Sequence, residues 1–401
     1  MTVSDFLTAH ALHPDQIPGE ACLRSLLEQM EQGLHGQGQI PMLPSYLPAS
    51  IVPPSNEVCC VLDAGGTNLR AALAHFDSHG NCEIQNLRTC PIPGSHSPMD
   101  AQSFYDAIAD EVRAVGDARR IGFCFSYNMM MERDLDGILQ AWCKEVQVPE
   151  ALGKPVGASL NHALGGNHSV RMLNDSTAAM LGASSPGRPV QVGIILGTGI
   201  NVCYEEPCSA IVKLPDRLPG SMIISTEVGE FDGIPKSDFD LELFAATEDP
   251  ALAHGEKQCA GGYLGELIRL VWNRAAEEGI LPEAFRTLRC TLPQISQMLD
   301  GRPGIIPGDS NAAAIARTLI GRSAKIAAIL CAGPVLRCTP PGGVVTIAVE
   351  GSQFGKLSGF RTDFCRELEH LLAPYGIRWE ILQTENACLK GAALAAFADP
   401  L

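Results

Sequence analysis

Two widely separated stretches of this chain each read as a strand, a glycine turn and a second strand. The first is CCVLDAGGTNLRAALAHF over 59–76, and the second is VGIILGTGINVCYEE over 192–206. Each opens on an apolar run, breaks at a turn containing Gly and Thr, and resumes as a strand. The interval between them is far longer than a solenoid period. They therefore read as two similar halves of one larger architecture.

Between and around these segments the apolar periodicity changes to that of helices. Residues 20–34 place Leu23, Leu26, Leu27, Met30 and Leu34 on one face, and 104–115 do the same with Phe104, Ile108, Val112 and Val115. Further helices are expected at 177–183, 263–274, 311–331 and 362–373, and in the terminal LKGAALAAF. IGFCFS (121–126) reads as a buried strand, and VVTIAV (344–349) as another. The Pro-, Gly- and Ser-rich stretch 36–54 reads as a connector. Strand clusters separated by helices predict a mixed α/β fold. With 401 residues, 46% of them hydrophobic, the chain predicts two or three domains.

The formal net charge of -16 argues against nucleic acid or an anionic membrane as the main partner. A bound phosphate would depend on local groups such as backbone amides. The fifteen cysteines include no C-x-x-C pair, and most lie in apolar runs. They read as small buried hydrophobes in a reducing compartment, the cytoplasm. No secretory signal is expected from the opening MTVSDFLTAH, and no apolar run approaches the ~20 residues of a membrane span.

Three turns could hold phosphate. In the first, Asp63-Ala64-Gly65-Gly66-Thr67-Asn68 with Arg70 beyond, the glycines let backbone approach a phosphate closely. Thr67 and Asn68 could donate hydrogen bonds, and Asp63 could order water around Mg²⁺. It is no Walker loop, since no G-K-[ST] follows. A plain hairpin turn is the alternative. Gly197-Thr198-Gly199 has the same character, and Gly351-Ser352 follows a strand as a nucleotide-binding loop often does. Asn174-Asp175-Ser176 opens a helix, where all three types are favoured caps. Asp175 could instead be a general base, since phosphoryl transfer to an alcohol needs a carboxylate to take the hydroxyl proton. Lys144, Asn201, Glu227 and Glu266 could form a polar set for a polyhydroxylated ligand, or lie singly on the surface.

Taken in order, these segments resemble the eukaryotic-type hexokinase and glucokinase family over most of the chain. The matching pieces are PMLPSY (41–46), LDAGGTNLR, GFCFS with DGILQAWCKE, LNDSTAAM, ILGTGINVCY, STEVGEF, GGYLGELIRLV, VEGSQFGKLSGF and LKGAALAAF. The resemblance implies a two-lobed α/β fold of the actin-like ATPase superfamily (ribonuclease-H-like) with a cleft that closes on sugar. The smaller lobe would hold 55–175 and 389–401, and the larger 1–54 and 176–388. It implies phosphorylation of a hexose at the 6-hydroxyl, with Asp175 as general base and Lys144 as a positioning group. Ser126, Cys143, Lys144, Asn174, Asp175, Asn201, Glu227 and Glu266 would bind the sugar. ATP would lie on Asp63, Gly65, Gly66, Thr67, Asn68, Arg70, Gly197, Thr198, Gly199, Gly351 and Ser352. Mg²⁺ would be held through water by Asp63 and Asp175. The protein would be a monomer or homodimer.

Three positions depart from the family pattern. Tyr127-Asn128 replaces Phe-Pro, Cys143 replaces Thr, and Ser225 replaces Asn. All fall in sugar segments, which leaves the identity of the sugar open. The chain is also short for the family, so trimmed peripheral elements are expected. Two alternatives remain. One is a non-catalytic sugar sensor on the same scaffold, which would not need Asp175, Lys144 and both phosphate turns. The other is an actin-like or chaperone-like ATPase, which would not need the polar set.

Overall fold

A computed structural model describes residues 1–95, 97–116, 118–142, 146–185, 187–399 and 401. The strands are β1 (Leu43–Pro44), β2 (Val58–Gly65), β3 (Asn68–Phe76), β4 (Cys82–Pro91), β5 (Arg120–Phe125), β6 (Asn128–Met131), β7 (Gly137–Ala141), β8 (Ser169–Leu173), β9 (Val192–Leu196), β10 (Ile200–Pro207), β11 (Ser221–Ser225), β12 (Val344–Glu350) and β13 (Arg378–Leu382). The helices are α1 (Val3–Ala9), α2 (Gly19–Leu34), α3 (Ala101–Val115), α4 (Val156–Ala163), α5 (Asp175–Ala183), α6 (Asp238–Ala245), α7 (His254–Cys259), α8 (Gly261–Glu277), α9 (Leu292–Leu299), α10 (Ser310–Cys338), α11 (Ser352–Lys356), α12 (Phe360–Leu372) and α13 (Ala387–Ala395).

The two strand–turn–strand segments seed two sheets of the same topology. In the first, β2, β3 and β4 form an antiparallel meander, and β5 and β8 extend it in parallel from β2. In the second, β9, β10 and β11 form the meander, and β12 and β13 extend it in parallel from β9. The orders β4-β3-β2-β5-β8 and β11-β10-β9-β12-β13 coincide, with β1 added at the outer edge of the second sheet. Parallel neighbours need long crossovers, which is why helices fill the chain between the strands. The result is a two-lobed α/β molecule, as expected.

The connector at 36–54 is more ordered than its composition predicts. Leu43 and Pro44 pair with Ser225 and Ile224. Met42 N donates to Thr226 O at 3.2 Å, and Ser45 N to Ile223 O at 3.1 Å. These bonds go to a distant strand, so composition could not show them. The apolar pattern also predicts that the long helix ends at 331, before Pro334, yet α10 runs to Cys338. Packing overrides the local proline signal there, because most of the helix is buried. This helix is long and apolar enough to cross a membrane by length and composition, contrary to the sequence reading, but 83% of its apolar window is buried inside the protein. It is thus placed as a core helix. The described cysteines are free thiols, most of them buried, among them Cys59, Cys60, Cys124 and Cys331.

Helices α5 and α13 pack against each other between the two sheets, too closely for a side chain at the crossing. A Cβ at Gly391 would lie 1.9 Å from Ala178 O, one at Gly182 1.9 Å from Ala387 O, and one at Gly122 1.8 Å from Ala392 O. Backbone carbonyls cannot yield as a side chain can. Gly391→Ala is therefore expected to destabilise the protein by about 1–3 kcal/mol, even though alanine gains about 1 kcal/mol of helix propensity. A thermal melt checks this, and an unchanged Tm would show that the helices can part at no cost.

Candidate active site

Chain direction places the opening of α5 at the C-terminal end of β8. Asn174 caps this helix: its Oδ1 accepts from Ser176 N at 2.9 Å and from Ser176 Oγ at 2.7 Å. Asp175 is the first helical residue, with Oδ1 2.9 Å from Ser176 N. The sequence left capping and base chemistry open for this triplet. The structure gives the cap to Asn174. The positive helix end stabilises an ionised Asp175.

Beside it lies a hydrogen-bonded cluster from β10, β11 and the turn after β11. Asn201 Nδ2 donates to Glu227 Oε1 at 2.6 Å and to Ser225 Oγ at 2.9 Å, with Asn174 Oδ1 at 3.5 Å. Ser225 Oγ donates to Glu227 Oε1 at 2.8 Å. Asn201 Oδ1 accepts from Glu227 N at 3.0 Å and from Val202 N at 2.7 Å. Glu227 adopts φ +58°, a left-handed conformation that costs a non-glycine residue about 1 kcal/mol or more. The cluster holds it there. Burial pushes the Glu227 carboxyl above its ordinary range; Ser225 and Asn201 oppose the shift, and the negative charge of Asp175 adds to it.

The turn between β2 and β3 is a two-residue hairpin loop, Gly65 being paired with Asn68. Gly66 has φ +59° while Thr67 stays outside the left-handed region, the φ pattern of a type II′ turn. Thr67 and Asn68 are exposed. Asp63 is buried and sits opposite Arg70 on β3. Arg70 Nε donates to Asp63 Oδ2 at 2.9 Å, and Nη2 closes a second contact with the same oxygen. Burial works against the Arg70 charge, but the Asp63 carboxylate more than offsets it.

The turn between β9 and β10 rests on the start of α8. Gly261 N donates to Gly197 O at 2.9 Å and Gly262 N to Thr198 O at 3.0 Å. Glu256 of α7 supports it, with Ile200 N donating to its Oε2 at 3.0 Å. Gly351 closes against the same turn. It has φ +116°, and a Cβ there would lie 2.2 Å from Leu196 O. Only glycine fits.

Glu350, immediately before, feels charges carried by distant segments of the chain. Burial raises its carboxyl first; Asp63 and Asp175 raise it further, and Arg70 opposes them. The first turn's Asp63–Arg70 pair, the opening of α5 and the end of β12 therefore lie within electrostatic reach of one another. Ser126, just after β5, has a buried hydroxyl with no hydrogen-bond partner among the described residues. It lies beside Gly65, where a Cβ would be 3.3 Å from Ser126 Oγ. Thr198 and Ser352 are exposed.

Glu266 does not join the cluster by any described hydrogen bond. It is exposed on α8 and pairs with Arg269 at 2.9 Å. Cys143 and Lys144 lie outside the described residues. Sequence reasoning missed Glu256 and Glu350, and it noted Ser225 only as a departure. Glu256 carries no local signal, since its partner Ile200 is remote in the chain. Glu350 directly precedes Gly351-Ser352, and that adjacency is its one signal in the sequence.

Two hexokinase family models match the chain, one over residues 2–185 and the other over 191–300 and 309–398. The chain belongs to the hexokinase family. Among curated hexokinases, the chloroplastic hexokinase-2 of Nicotiana tabacum is 33% identical over 266 residues, 61% of this chain and 53% of that protein. Hexokinase-1 of Schizosaccharomyces pombe is 30% identical over 268 residues, 61% of this chain and 54% of that protein. The chain thus spans about half the length of the curated hexokinases it matches. A hexokinase from Schistosoma mansoni, solved with glucose, superposes with a TM-score of 0.83 at 23% identity, covering 99% of this chain and 96% of that one. A ROK hexokinase from Thermus thermophilus gives 0.52 at 17% identity, over 85% and 98%. These superpositions bear on the fold, which is that of the hexokinases.

Proposed function

We propose that this hexokinase-family chain transfers the terminal phosphate of ATP to the 6-hydroxyl of a hexose, glucose or a close relative, with Asp175 as general base. The observation that carries the proposal is the cluster of Asn174, Asn201, Ser225 and Glu227 beside Asp175. A site built to bond hydroxyls leaves buried polar groups unpaired with the wrong ligand, which gives selectivity for a polyol. The glucose bound to the Schistosoma hexokinase supports the choice of sugar.

In this reading, Asn174, Asn201, Glu227 and Ser126 hold sugar hydroxyls, with Glu266, Cys143 and Lys144 completing the set. Asp175 takes the proton of the attacking hydroxyl as the O–P bond forms. ATP lies across the turns at Gly65–Asn68 and Gly197–Gly199 and the loop at Gly351-Ser352, with Arg70 near its phosphates. These turns suit it: nothing lies within 4 Å of a Cβ at Gly66, so backbone there is open to a phosphate. Magnesium would neutralise charge on the phosphates. Among the described residues no group of three His, Cys, Asp or Glu side chains stands ready to ligate a metal. Contact through water from Asp63 and Asp175 accords with that, because Mg²⁺ keeps several waters.

Residues 55–175 with 389–401 would form the smaller lobe and 1–54 with 176–388 the larger, closing on sugar to exclude water. The many free thiols suit a reducing compartment, the cytoplasm in this reading. The protein would act as a monomer or homodimer.

Steady-state ADP release with ATP, Mg²⁺ and a panel of glucose, mannose and fructose tests the proposal. At least one hexose is expected to raise ADP release tenfold or more above the sugar-free rate. If none does while a hexose still binds, the chain is a sugar sensor on a hexokinase scaffold.

A further inference from the structure

Ser225 ends β11 with its side chain almost fully buried, 5% exposed, between strands on either side. A serine hydroxyl has one proton to donate and lone pairs to accept with. Here both functions are used on the same cluster: Oγ accepts from Asn201 Nδ2 at 2.9 Å and donates to Glu227 Oε1 at 2.8 Å. Asn201 Nδ2 also reaches Glu227 Oε1 directly at 2.6 Å. Oε1 therefore accepts from two protein donors, while among the described residues no group bonds Oε2. One oxygen of the carboxylate is committed to the protein and the other is left for a ligand.

We propose that Ser225 is a positioning residue that pins Glu227 through Oε1, so that Oε2 is presented as an ionised acceptor to the hydroxyls of the sugar. The sugar as ligand rests on the function proposed above; the pinning of Glu227 does not. A carboxylate free to rotate would lose both its direction and part of its ionisation. Burial already disfavours the Glu227 charge, and Asp175 from α5 and Glu230 from the turn after β11 face it with the same sign. The donors that oppose them are Ser225 and Asn201. Removing the serine hydroxyl thus shifts the balance towards the protonated acid, which cannot accept two sugar hydroxyl protons equally well. The sign follows: Glu227 of Ser225→Ala takes up its proton at higher pH, and sugar binding fails earlier as pH falls.

Two measurements test this. In the sugar-free protein, the Glu227 carboxyl resonance, assigned by its absence in Glu227→Gln, is followed through a pH titration. Ser225→Ala is expected to raise the midpoint by half a pH unit or more, and Ser225→Thr, which keeps the hydroxyl, to restore it. In the second, calorimetry with glucose gives the Kd as a function of pH. Ser225→Ala is expected to weaken binding about tenfold at neutral pH, the size of one hydrogen bond to a charged group, with the loss growing at acid pH. In turnover the loss should fall on KM more than on kcat. An unmoved midpoint overturns the positioning role, as does weaker binding that Ser225→Thr fails to recover. A midpoint that moves in a protein that binds no hexose upholds the pinning of Glu227 and overturns the choice of sugar as ligand.

Discussion

Replacing Asp175 with alanine is expected to lower kcat by roughly 10²–10⁴-fold, the usual contribution of a general base. Sugar affinity should fall by no more than about tenfold, because the cluster of Asn174, Asn201, Ser225 and Glu227 remains. The fold should survive. Asn174, not Asp175, provides the side-chain cap of α5, with Oδ1 2.9 Å from Ser176 N. The residues that anchor α5 are buried further along it, at Ala178, Ala179, Met180 and Leu181. Single-turnover kinetics with saturating ATP isolates the chemical step from binding, and glucose calorimetry reads affinity separately. Turnover within tenfold of the parent protein would remove Asp175 from the role of base. A parallel collapse of affinity and Tm would mark it as structural.

The second large effect is on stability. Asp240 and Arg322 form an ion pair whose side chains are 0% and 1% exposed. Arg322 Nη1 donates to Asp240 Oδ1 at 3.1 Å and Nη2 to Oδ2 at 2.5 Å. Ser237 N and Oγ add bonds to Oδ2 at 2.7 and 2.8 Å, so the pair also ties the start of α6 to α10. Asp240→Ala leaves the guanidinium buried without its counter-charge. The expected loss is about 3–5 kcal/mol, a large share of the stability of an ordinary domain. Thermal melts and urea titration would record it. Replacing both partners, Asp240→Leu with Arg322→Met, should recover much of the loss, since an apolar pair leaves no stranded charge. If the single and double variants melt together, the ion pair is not the cause.

Much of the fold was legible because its two halves announce themselves locally. Apolar runs broken by Gly66 and by Gly197-Thr198-Gly199 mark strand pairs whose partners are adjacent in the chain. Helices α2, α3, α8 and α12 follow the apolar periodicity read from the sequence, within a few residues at their ends. Strand β4 was not read, because it is an edge strand with much of its surface exposed and little apolar alternation. The hairpin of β6 and β7 was missed for a related reason: Met129-Met130-Met131 lacks a polar–apolar pattern that would mark a strand.

The site divides along the same line. Residue types and order along the chain were enough to nominate Asp175, Asn174, Asn201 and Glu227, because each stands in a segment with its own local signature. What each does to its neighbours was not. Ser225 was visible only as a change from asparagine, yet its hydroxyl lies between Asn201 and Glu227. Glu256 and Glu350 gain their importance from turns far away in sequence. Local chemistry determined the strands, the turns and the identity of the candidate groups, since backbone preference and residue type act over a few positions. The tertiary structure alone decided which carboxylate oxygen is committed to the protein, which glycines admit a neighbouring backbone, and which charges act on one another. Those outcomes depend on distances between segments that only packing brings together.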